Sequence, residues 1–411
     1  MDHPCTHFDP SYPGLERLLL PVIPTSNARF TLHGSVALEQ RLAQLADDTH
    51  LGVSEIVPPS QLRGILLAGS HGRGEGGVLT SPEGEIAVGD WECWILVRKS
   101  GLSQSPRLAR RLQALGDRLS ASTGLDARFI VRSVSQIRRK RPSLDYHELL
   151  LGHRWIVGDP SLLDGCEHHR NSTRMPLHEA TRRLLNGCTD LLFASENLNR
   201  PAFSPRDADR VERSLNRMRL ALGDVLLVAT GQYHPGLRER HQRFQAWCQF
   251  DPPPTGLPLE RLLQLHTQGL EASLHPALLL PPHDALAAQY AELVELARAT
   301  WLWIEQRRLK RAFSSALDYV ESGIDKCPET AAWRNRILNF LLFGLKMPLC
   351  SKGARHPRER LLHSLALLLW EYPRAGAEPA LRSRLRWELH AKARDLGGWI
   401  SAYRRFWPRF A

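Results

Sequence analysis

The hydrophobic pattern of the chain changes period near residue 175. Before that point short apolar runs alternate with helical stretches; after it the apolar positions keep helical spacing. Residues 1–30, rich in proline and short polar clusters, read as an irregular lead-in. Leu38, Leu42 and Leu45 predict a helix over 35–48 that packs on a sheet. Pro58-Pro59 then punctuates before the apolar run Ile65-Leu66-Leu67-Ala68, the first core strand. A glycine-rich turn follows, from Gly69-Ser70-His71-Gly72-Arg73 to Gly74-Glu75-Gly76-Gly77. After the polar excursion Ser81-Pro82-Glu83-Gly84, residues 85–97 read as a second strand. Leu108, Leu112, Leu115 and Leu119 give an amphipathic helix over 107–120, and residues 125–131 a short strand led by Asp126. The basic run Arg138-Arg139-Lys140-Arg141 reads as a solvated face. A helix opens at 145–150, and 152–160 supply a last short strand and turn.

From there helices are expected over 179–197, 207–230, 259–272, 284–312, 330–345, 358–371 and 379–404. They are broken at 231–236, at Pro252-Pro253-Pro254 and at Pro281-Pro282, and most of their leucines and tryptophans are read as core. The expected fold is an α+β domain over 1–170, with a mixed sheet of about four to five strands and covering helices. An all-α domain over 171–411 follows, divisible near 250–282.

Composition narrows this little. A chain of 411 residues can hold two or three domains, and 43% hydrophobic with 24% charged content is ordinary for a globular protein. The net charge of +11 suits anionic partners, although arginine-rich helices produce such a balance with no ligand. Seven cysteines (Cys5, Cys93, Cys166, Cys188, Cys248, Cys327, Cys350) lack C-x-x-C spacing and read as free thiols in a reducing compartment. The first thirty residues lack a signal-peptide pattern, and no apolar run reaches the roughly 18 residues that span a bilayer. The expectation is a cytoplasmic protein with no membrane partner.

The chemistry concentrates in residues 65–98. Asp90 and Glu92 lie two apart in a strand-like run, so both carboxylates fall on one face of the sheet. Two oxygen ligands on a rigid element suit a hard divalent cation. The preceding turn can bring bare backbone N–H groups against phosphate oxygens, because glycine has no Cβ to hold a ligand off. Together these describe a Mg-nucleotide site.

Gly69-Ser70 followed by Asp90-x-Glu92 resembles the signature of the polymerase-beta-like nucleotidyltransferase superfamily. The run Gly69 through Gly76 looks like a bacterial subgroup of such domains that carries a helical C-terminal half. The likeness covers residues 60–165 well and the helical half loosely. Glu92 stands where Asp is usual, as in the antibiotic-modifying branch, and Gly89 stands where Ser is commoner. The resemblance implies two Mg²⁺ ions on Asp90 and Glu92, with Asp126 as third carboxylate, serving as base or further ligand. It implies Gly69, Ser70 and Arg73 on the triphosphate. A helix of the second domain would face the cleft, with Arg217, Asp224 and the Tyr233-His234 turn as candidates and Arg217 on the nucleotide.

The implied reaction moves a nucleoside monophosphate from an NTP, ATP being the expected donor, to a hydroxyl of a small-molecule acceptor such as a sugar, antibiotic or metabolite. Two alternatives stand beside it: a non-catalytic nucleotide-binding or regulatory protein, and a nucleotidyltransferase acting on protein or RNA. Nucleic acid is not the expected partner, because aromatic–basic interleaving suited to stacking bases is not found.

Overall fold

In a computed structural model, which describes residues 29–99, 101, 105–250, 256–344, 351–375 and 378–410, the first helix is α1 (Val36–Ile56). Ser35 caps it, its hydroxyl accepting the Leu38 N–H. β1 (Leu62–Leu67) runs into one helical turn, α2 (Gly69–Arg73). The hairpin β2 (Gly77–Ser81) and β3 (Gly84–Val88) leads to β4 (Asp90–Val97). Then come α3 (Pro106–Thr123), β5 (Asp126–Ser133), α4 (Val134–Arg139), α5 (Leu144–Leu151) and β6 (Arg154–Gly158).

The main sheet is mixed and four-stranded, in the order β5-β4-β1-β6. β1 runs antiparallel to β4 and β6, while β4 and β5 are parallel and joined through α3. The pleat sorts the side chains. Ile65, Leu67, Trp91, Cys93 and Ile95 meet Leu38, Leu42, Leu112 and Leu115 of α1 and α3 on one face. Leu66, Trp94 and Leu96 meet Ile137 of α4 and Tyr146, Leu149 and Leu150 of α5 on the other. Asp90 and Glu92 alternate with Trp91 and Cys93, so they belong to the α5 face.

The second part is helical: α6 (Leu177–Leu198), α7 (Pro205–Ala229), α8 (Leu237–Gln249), α9 (Leu259–Leu274) and α10 (His283–Leu309). After these lie α11 (Ala316–Glu321), α12 (Ala332–Phe343), α13 (Arg358–Ala366), a π-helical turn Leu367–Glu371, α14 (Tyr372–Ala375), α15 (Pro379–Leu389) and α16 (Leu396–Phe410). One core runs through them, with Leu184, Leu191, Leu222, Leu226, Trp301, Trp370 and Trp399 fully buried or nearly so. Helix α5 reaches this body directly: the Leu144 N–H donates to Glu179, and Arg182 pairs with Asp145 at 2.9 Å. Among the described residues no helix is long and apolar enough to cross a membrane.

Several expectations are corrected. The run 85–97 is two strands in two different sheets, divided at Gly89, whose φ of 116° is open to glycine and costly for other residues. Residues 69–73 coil into a helical turn rather than an open loop. The helix expected over 379–404 is two, because His390 takes a left-handed conformation that ends α15. Helices α8 and α11 were not anticipated. Two tryptophans are surface residues, Trp333 and Trp387. Cys93, Cys166, Cys188, Cys248 and Cys327 are free thiols. The lead-in to residue 28, Cys5, Cys350 and the Pro252-Pro253-Pro254 break lie outside the described residues.

The junction of β1 and α2 is closely packed. A Cβ at Gly72 would run into the Leu67 carbonyl oxygen, which is backbone and cannot swing away. Gly72→Ala is expected to lower stability by about 1–3 kcal/mol. Urea denaturation followed by circular dichroism checks this; an unchanged midpoint would show that the turn relaxes freely.

Candidate active site

β4 presents Asp90 and Glu92 side by side, 38% and 26% exposed, at the end where β1 turns into α2. The Ala68 N–H donates to the Glu92 carbonyl at 2.8 Å, so the turn is tied to the acid-bearing strand. Gly69 enters α2 with φ 68°, and a Cβ there would lie 3.9 Å from that of Glu92. A Cβ on Gly89 would lie 3.7 Å from the Ser70 hydroxyl. Gly69 and Ser70 thus lie beside the start of the acid-bearing strand. His71, fully buried, buttresses them from behind: its Nδ1 lies 3.2 Å from the Asp90 carbonyl and its ring packs against Trp91. Burial holds the His71 imidazole below its ordinary pKa.

β5 brings Asp126 and Arg128 opposite Asp90 and Glu92 in parallel register, so all four share the face. The residue that engages the acids is Arg128. Its guanidinium pairs with Asp90 and lies 3.5 Å from Glu92. Asp126 is exposed at the start of its strand. The expected third carboxylate is therefore in register with Asp90, but a cation two residues on holds the pair. Trp94 completes the first contacts, its indole N–H donating to Glu92 at 2.9 Å. Burial raises the Glu92 pKa, helped by the nearby carboxylates of Glu148 and Asp145; the Trp94 hydrogen bond and Arg128 oppose it.

The helical part supplies the facing wall. Arg217, exposed, pairs with Asp190 at 3.5 Å. Burial raises the Asp190 pKa, Arg217 and Arg183 lower it, and the charge of Asp90 adds to the rise, which brings this acid within the field of the strand pair. Asp224 and Tyr233 hold a different position from the one expected. Both are fully buried. Arg183 donates to the Asp224 carboxylate at 2.7 Å and Arg240 donates to the same oxygen at 2.8 Å. Arg240 also reaches the Tyr233 hydroxyl at 3.0 Å, and that hydroxyl donates to Glu148 on α5. The chain of contacts joins the two parts of the molecule. His234, partly buried, accepts the Gly236 N–H, and its pKa falls to about 4, chiefly through burial and then the Arg243 charge.

Arg73 belongs to the same junction. Its guanidinium pairs with Glu75 at 3.0 Å and its stem packs on Gly152; Glu75 in turn accepts the Leu237 N–H that opens α8. This arginine ties the turn to the helical part rather than standing open to a ligand. Sequence reading passed over Arg128, Trp94, Glu148 and Asp190. Period-2 alternation from Asp126 would have placed Arg128 on the acid face, but nothing local predicts the pairing of β5 with β4.

Among the described residues, no group of three or more His, Cys, Asp or Glu is placed to hold a metal ion. The acid pair nevertheless fits Mg²⁺ by its chemistry. It offers two hard oxygen ligands on one rigid face, and they already converge on one positive group. Mg²⁺ takes one or two carboxylates and fills its remaining positions with water and substrate phosphate, without an all-protein cage. Set against known proteins, the chain matches no family model, no curated protein and no solved structure.

The two groups of wall residues separate by burial. Asp224→Ala strands Arg240 in the interior and should cost about 3–5 kcal/mol. Arg217→Ala, which opens an exposed pair, should cost under about 1 kcal/mol. Denaturant titration of both variants checks the contrast; equal losses would refute the assignment of Asp224 to the framework and Arg217 to the open wall.

Proposed function

We propose that the protein is a Mg²⁺-dependent nucleotidyltransferase, moving a nucleoside monophosphate from an NTP to a hydroxyl of a small-molecule acceptor. The observation that carries this reading is the placement of Asp90 and Glu92 on one face of β4, beside the turn that begins at Gly69 and Ser70. Asp90 and Glu92 would hold the metal, two ions being expected, which when bound neutralises phosphate charge and activates the attacking hydroxyl.

The chain's own residues have distinct parts. The backbone around Gly69 and the Ser70 hydroxyl bind the terminal phosphates, reached closely because position 69 has no Cβ. Arg128, on the acid face, supplies positive charge to the same space and suits an incoming triphosphate by its planar donor fork. Asp126, exposed beside Asp90, stands where it can accept the acceptor's proton. Arg217, exposed and paired with Asp190, would contact the nucleotide or acceptor. Arg73 and Asp224 act at a distance, by fixing the turn and the helical wall.

A non-catalytic nucleotide sensor is the second reading: Arg128 lies against both carboxylates and offsets one of their two charges within the protein. Turnover separates the two. Pyrophosphate release from an NTP, in the presence of a pool of hydroxyl-bearing metabolites, is expected of the wild type. Asp90→Asn should lower it at least about a thousandfold, with thermal stability unchanged to within a few degrees. Turnover retained by Asp90→Asn would remove this site from the reaction; binding without turnover in the wild type would favour the sensor.

A further inference from the structure

Helix α12 is turned inside out. Its Asn335 and Asn339 are 2% and 1% exposed, whereas Trp333, Ile337, Phe340 and Leu341 are 62%, 51%, 45% and 71% exposed. At about 100° per residue the four apolar residues fall within an arc of about 100°. Arg334 and Arg336 stand at the two edges of that arc, and the asparagines lie opposite. The inversion is held by hydrogen bonds: the Asn335 amide donates to the Ala354 carbonyl at 2.9 Å, and that of Asn339 to the Gly353 and Arg355 carbonyls at 2.8 Å. An amphipathic helix ordinarily buries its apolar stripe. Here the polar face is the one fastened to the protein, so the outward stripe is built for something else.

The charge around it identifies the partner. Residues 1–330 hold 38 basic and 38 acidic side chains, whereas residues 331–411 hold 16 basic and 5 acidic, so the whole net charge of +11 lies in the last 81 residues. Helix α12 itself has two arginines and no acid. The Phe343 ring stacks on His390 with centroids 4.7 Å apart, and the Arg360 guanidinium lies over both Phe343 and Trp387. These contacts bring the end of α12 alongside the α15–α16 turn, where Arg386, Trp387, Lys392 and Arg394 are exposed.

We propose that this face is a docking surface for an anionic lipid membrane, with α12 lying in the interfacial plane. A stripe of Trp, Phe, Ile and Leu edged by arginine is the composition that settles into the headgroup boundary. Positive charge on both edges and on a neighbouring element matches an extended anionic plane. An acidic partner helix would present its charge along one line. The aliphatic Ile337 and Leu341 weigh against single-stranded nucleic acid, which is held by aromatic and cationic side chains. The proposal is independent of the chemistry at Asp90 and Glu92, and it replaces the expectation that no membrane is involved.

The test is co-sedimentation of the full chain with vesicles. Wild type should pellet with phosphatidylglycerol–phosphatidylcholine vesicles, less so as salt rises, and remain in solution with phosphatidylcholine alone. The triple variant Trp333→Ser/Ile337→Ser/Leu341→Ser should lose binding by about tenfold or more. Arg334→Glu/Arg336→Glu, which keeps the stripe, should lose it comparably and guards against misfolding of the first variant. Wild type left in the supernatant with anionic vesicles would overturn the proposal, as would either variant binding like wild type. A concentration-dependent dimer that the triple substitution dissolves, without vesicle binding, would assign the face to a second copy and equally overturn it.

Discussion

Two carboxylates held side by side on one face of a strand repel, and their surroundings are organised around that repulsion. The backbone of Asp90 and Glu92 is fixed by β5 along one edge and, at Glu92, by the Ala68 N–H on the other. Their charge has to be met from outside the strand. In the structure Arg128 meets it from the next strand, with Trp94 donating a hydrogen bond to Glu92. In the proposed reaction a divalent cation and its phosphates would share the task. The same pair therefore explains why a cation sits at this place.

The wall opposite is rigid for a different reason. Asp224, Arg240 and Tyr233, buried, and Arg183 and Glu148, partly buried, form a polar chain between the helical body and α5. Buried charges of this kind add little net stability against apolar substitutes, but breaking one partner is costly, so they fix geometry. Glu75 extends the tie to the glycine turn by accepting the N–H at the start of α8. The glycine turn and the helical wall are thereby linked through charge-assisted hydrogen bonds.

What was legible in the sequence follows from the range of the interactions. Alternation along 90–97 placed the acids on one face correctly, since the pleat is local. Leu38, Leu42 and Leu45, and Leu108, Leu112 and Leu115, gave α1 and α3 for the same reason. Arg128 escaped because its role depends on which strand lies beside β4. Asp224 and Tyr233 were expected to face a ligand and are fully buried instead, because a buried ion network and an open binding wall use the same residue types. Most tryptophans of the helical part were expected in the core, and Trp333 is an exception; only tertiary contacts show that Asn335 and Asn339 turn α12 the other way.

The central claim, that the acid pair and the glycine turn form one metal-nucleotide site, is tested most directly by calorimetry. Each of the four NTPs would be titrated into wild type and into Asp90→Asn/Glu92→Gln, with and without Mg²⁺. The account predicts binding of at least one NTP that requires Mg²⁺ and is lost in the double variant. NTP binding that persists in the double variant, or no binding to the wild type with Mg²⁺ present, would contradict it.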